Sequence, residues 1–96
     1  MSKRQKRLER IRQNPNNVSL ADLRSVLEDY GFEHRKTTGS HYTFSYVLDG
    51  STRLLVVPFR RPVKLIYVKQ ALRIIDQIIQ EQGEDEPDDD ETDEES

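Results

Sequence analysis

The sequence predicts a small α+β domain in which two helices flank three consecutive strands. Three observations carry that reading. The run HYTFSYVL (41–48) alternates apolar and polar residues, the pattern of a half-buried strand. Asp49-Gly50 follows it directly and makes a favoured two-residue hairpin turn, because both central positions need positive φ. On either side of the strand region lies a segment with apolar residues at three- and four-residue spacing, each closed by a glycine.

Taken in order, residues 3–13 (KRQKRLERIRQ) are helix-permissive and strongly basic, with Leu8 and Ile11 as their apolar anchors. They read either as a solvated helix packing through those two residues or as a basic arm for phosphate or a partner protein. Asn14-Pro15-Asn16-Asn17 breaks the pattern. Ser19 then suits a helix N-cap, with Asp22 three residues on in a capping-box-like arrangement. Leu20, Leu23, Val26, Leu27 and Tyr30 form one helix face, and Gly31 ends it.

The first strand candidate is FEHRKT (32–37), with Phe32, His34 and Lys36 on one side if the chain is evenly extended. Thr38-Gly39 supplies a turn. In the second strand Tyr42, Phe44, Tyr46 and Leu48 form an apolar face, opposite His41, Thr43, Ser45 and Val47. The third, Thr52–Val57, is apolar on both faces and so is expected to be the central or better-covered strand. Pro58 ends it, and Phe59-Arg60-Arg61-Pro62 forms a basic connector. From about Lys64 an amphipathic helix follows, with Val68, Ala71, Leu72, Ile75 and Ile79 on its main stripe and Ile74 and Ile78 widening it.

The expected division is therefore a basic N-terminal helix or arm (1–17), a core domain (18–83) and a disordered acidic tail (84–96). An antiparallel three-stranded sheet buries one face under two helices and leaves the other in water. The alternation of the second strand sends Tyr42, Phe44, Tyr46 and Leu48 under the helices and His41 to the open face.

Charge divides the chain sharply. Residues 84–96 hold ten of the eighteen acidic residues and no basic one. Residues 1–83 carry fifteen Lys and Arg against eight Asp and Glu, a net of +7. Such a body points to polyanions such as RNA or DNA, and the tail reads either as a tethered competitor that contacts the basic core or as a solubilising disordered end. No apolar run approaches the roughly eighteen residues needed to cross a bilayer. The basic start has no apolar segment behind it, so a cytoplasmic location is expected. With no cysteine, disulfides and thiolate metal sites are excluded.

Metal-ligand spacing and a phosphate-binding glycine loop are both missing, so neither a metal nor a cofactor is expected. Ser40 and His41 are strand neighbours that point to opposite faces, which does not suit a nucleophile–base pair. Acid–base chemistry on RNA is left, because RNA carries its own nucleophile in the 2′-hydroxyl. It needs a proton carrier near pH 7, which suits histidine, and cations around the phosphate. His41 is the candidate. Arg35, Lys36, Arg53, Arg60, Arg61 and Lys64 are the candidate RNA-contacting cations, with Ser40 beside them. His34, on the buried side, reads as structural. The opposing reading makes His41 a surface histidine at a strand start and its basic neighbours a solvated face.

The order Leu20–Phe32 ending in LEDYGF, then Gly39-Ser40-His41, then LLVVP ending at Pro58, then YVKQALRIID, resembles the HicA-type toxins of bacterial toxin–antitoxin pairs. The resemblance covers residues 18–80. It implies a fold like that of double-stranded-RNA-binding domains (dsRBD-like) and the activity of a metal-independent mRNA interferase. It makes His41 the catalytic histidine, with Gly39 and Ser40 shaping the turn that presents it. It also implies an antitoxin of HicB type as the partner covering the active surface. Tyr42 stands where many members carry a second histidine, and Arg60-Arg61 where a histidine is also common. The competing functions are a non-catalytic RNA-binding module of the same fold and a protein-interaction unit that docks an acidic partner.

Overall fold

The computed structural model describes residues 2–83. It is an α+β fold with element order α-α-β-β-β-α: α1 (Lys3–Gln13), α2 (Leu20–Asp29), β1 (Glu33–Thr38), β2 (His41–Leu48), β3 (Ser51–Pro58) and α3 (Leu65–Glu81). The acidic segment 84–96, expected as a disordered tail contacting the basic core, lies outside the described residues.

Helix α1 is built into the domain. Ser2 and Gln5 form a full capping box: the Gln5 N–H donates to Ser2 Oγ (3.2 Å) and the Ser2 N–H to Gln5 Oε1 (2.8 Å). Leu8 and Ile11, one turn apart on the same side, are buried in the common core cluster. Arg7 grips the Asp29 carboxylate at the end of α2 through two bonds of 2.7 Å. Arg12 reaches Asp76 on α3 (2.7 Å). Part of the basic charge of α1 is thus spent on holding it in place, while Lys3, Lys6 and Arg10 remain exposed.

Ser19 caps α2 by accepting from the Asp22 N–H (3.0 Å), and Gly31, at φ +94°, takes the left-handed position that stops it. The Asp49-Gly50 turn has φ of 55° and 75°, as a two-residue hairpin of that type requires. Its end is tied down where the Asp49 N–H donates to both carboxylate oxygens of Glu81 on α3 (3.1 and 3.0 Å).

The sheet is antiparallel in the order β1-β2-β3. The expectation that β3 is central is therefore corrected: β2 is central and β3 is an edge. Its apolar residues on both faces misled, because the outer pair, Leu54 (63% exposed) and Val56 (41%), is left in water. The inner pair, Leu55 and Val57, joins Phe44, Tyr46 and Leu48 in the core against α2 and α3.

Two smaller corrections concern faces. On α3 the buried residues are Val68, Ala71, Ile74, Ile75 and Ile78, with Leu72 and Ile79 at the margins, so the stripe is rotated from the expected one. In β1 the even alternation is broken by a bulge between His34 and Lys36. His34 pairs with Phe44, but Lys36 pairs with Thr43. Directly paired residues share a face, so the bulge moves Lys36 from the helix side to the open side.

Candidate functional site

The site is assembled from the bottom of the hairpins. Gly39 and Ser40 alone link β1 to β2, and Gly39 has φ +60°, a conformation that side chains strain to adopt. This tight link puts His41 on the first rung of the ladder, paired with Thr38 on one side and Pro58 on the other. His41 is exposed and lies on the open face, as the alternation of β2 predicts. Its ring has no hydrogen-bond partner among the described residues.

The connector returns to this end. The Phe59 N–H donates to the Ser40 carbonyl (2.7 Å), extending the β2–β3 pairing by one rung. Farther on, the Val63 N–H donates to the Val18 carbonyl (2.9 Å), which pins the connector to the loop between α1 and α2. Arg60 and Arg61 are held between these two anchors, and both are exposed. Lys64 follows as the exposed N-cap residue of α3. Lys36 arrives from β1, brought to the open face by the bulge, and faces Thr43, two residues from His41.

Two expected members are not brought in. Arg53 pairs with Tyr46 and therefore projects on the helix side of the sheet. It lies five residues along β2 from His41, roughly 17 Å at the usual rise per residue, and its nearest ion partner is Asp49 at 4.0 Å. Arg35 sits at the bulge and is ion-paired with Glu33 (2.7 Å), whose own partner in the ladder is Ser45. Of the remaining expected cations, Lys36 shares the open face with His41, while Arg60, Arg61 and Lys64 follow Pro58 in the connector, with Arg61 over the Phe59 ring.

The other histidine is structural. His34 Nε2 is hydrogen-bonded to Thr37 Oγ1 (2.8 Å), and its ring lies 5.6 Å from that of Tyr42 and 5.5 Å from that of Phe44. It faces the helices while His41 faces solvent, so the two cannot share one phosphate. Among the described residues, no three His, Cys, Asp or Glu side chains gather as a metal-ligand group. No helix there is long and apolar enough to cross a membrane.

Sequence reasoning missed two features of this surface. Phe59 is a large aromatic left 39% exposed beside Ser40, and the run Phe-Arg-Arg between two prolines was its only signal. Val47, Leu54 and Val56 form an exposed apolar strip on the same open face as His41; Val47 was expected there, whereas Leu54 and Val56 were expected to be covered. The recess of about 270 Å³ between α1 and α2, lined by Arg10, Asn14, Asn17 and Ser25 among others, contains none of the candidate residues. No protein-family model, curated protein or solved structure matches the chain.

Proposed function

We propose that this protein is a metal-independent RNA endonuclease, the toxin of a toxin–antitoxin pair, with a dsRBD-like fold and His41 as its general base. The observation that carries the reading is the position of His41: exposed, on the open face, with Lys36 on that face of the neighbouring strand and the basic connector leaving β3 directly after Pro58, its ladder partner. In the reaction the RNA 2′-hydroxyl oxygen bonds to the adjacent phosphorus and the P–O5′ bond breaks. His41 takes the 2′-hydroxyl proton, and the departing 5′-oxygen gains one from solvent. The cations offset the charge that gathers on the phosphoryl oxygens in the transition state. The products are a 2′,3′-cyclic phosphate and a 5′-hydroxyl.

The apolar strip supports a protein partner of the antitoxin kind. Val47 (60% exposed), Leu54 and Val56 share the face of His41, and among the described residues β3 is an edge strand. A partner covering the strip also covers His41.

The mechanism is tested by the substrate's own nucleophile. An RNA carrying a single 2′-deoxynucleotide on the 5′ side of a cleaved bond resists cleavage there and is cut elsewhere. Continued cleavage at the deoxy position contradicts 2′-hydroxyl attack.

The bulge gives a second test. Lys36→Ala weakens RNA binding and lowers the slope of log affinity against log salt by about 1, the signature of one lost phosphate contact. Arg53→Ala, on the other side of the sheet, leaves both unchanged. Binding isotherms across a salt series check this pair, and a reversed order contradicts the assigned faces.

A further inference from the structure

We infer that Phe59 and Arg61 form a stacking platform for an unpaired nucleobase next to the nucleotide whose phosphate meets His41. The inference rests on the RNA-directed reading above and adds a recognition site to it. Four observations converge. Phe59 is 39% exposed, although the chain is only one-third hydrophobic and has a core to fill. Its backbone is tied to the residue before His41 by the 2.7 Å bond to the Ser40 carbonyl, just past the end of the β2–β3 ladder. The half-buried Tyr42 ring backs it at 6.4 Å. The Arg61 guanidinium carbon stands 5.5 Å from the Phe59 centroid, within cation–π range.

Phenylalanine rings and guanidinium planes are the surfaces on which splayed-out bases of single-stranded RNA stack. The placement also says how the strand runs. Phe59 lies beside Tyr42, on the helix side of the sheet, and His41 projects from the open side one rung away. An RNA strand crossing that end of the sheet sets a phosphate against His41 and the neighbouring base against Phe59. A duplex cannot supply such a base, so the platform selects single-stranded RNA.

The chain contains no tryptophan, so Phe59→Trp installs a single indole reporter at the platform. The probe is a short single-stranded RNA with 2′-O-methyl groups, which cannot be cleaved by 2′-hydroxyl attack, compared with the same strand carrying abasic positions. Stacking quenches the indole with the base-bearing strand and not with the abasic one. Phe59→Ala weakens binding of the base-bearing strand roughly tenfold or more, and Phe59→Trp retains wild-type affinity. Equal quenching by both strands, or full affinity in Phe59→Ala, overturns the platform and leaves the endonuclease reading standing. Failure of the wild-type protein to bind either strand overturns both.

Discussion

His41→Ala lowers the RNA cleavage rate about 10²- to 10⁴-fold, the range for losing a general base. The melting temperature stays where it was, because the ring is exposed and has no hydrogen-bond partner among the described residues. His34→Ala does the reverse. It removes the bond to Thr37 and the ring contacts with Tyr42 and Phe44, so it destabilises the sheet and spares the chemistry at the temperature of the assay. Cleavage rates and thermal melts of the two variants, set side by side, check the assignment of the two faces.

Phe44→Ala costs about 3–5 kcal/mol of folding stability, the usual penalty for emptying the place of a buried phenylalanine. The ring is fully buried in the centre of the middle strand, under the helices. A small domain holds about 5–15 kcal/mol in all, so this one change brings it close to unfolding. Leu54→Ala, on the outer face of the neighbouring strand, stays within about 0.5 kcal/mol of the parent. Urea denaturation of both variants measures the contrast. A large cost at Leu54 contradicts an uncovered open face.

Much of this architecture was legible in the residues because it is local. The alternation of HYTFSYVL separates His41 from Phe44 without any knowledge of the partners. Asp49-Gly50 and Gly31 announce their own backbone conformations, and Ser19 announces a helix start. What stayed hidden depends on pairing across the chain. Nothing in EHRKTT marks a bulge, since it contains no glycine, yet the bulge decides on which face Lys36 lies. The edge position of β3 follows from strand order, which its apolar composition does not encode.

The same division holds at the site. His41 and its turn were readable, while the selection of Arg60 and Arg61 over Arg53 came from two backbone hydrogen bonds that fold the connector back. One of those bonds joins residues 19 positions apart, and no periodicity reports it. Helix α1 shows the same limit. Two apolar residues look too few to dock a helix, but the Ser2 cap and the Arg7–Asp29 pair supply the remaining grip.

The central claim is that the open-face histidine drives RNA cleavage through the substrate's own hydroxyl. The most direct measurement is end-group analysis of single-stranded RNA incubated in chelator with wild-type protein and, in parallel, with His41→Ala. The expected result is fragments ending in 2′,3′-cyclic phosphate and 5′-hydroxyl from the wild type, and intact RNA from the variant. Equal cleavage by both proteins, or RNA that is bound but left uncut by the wild type, contradicts it.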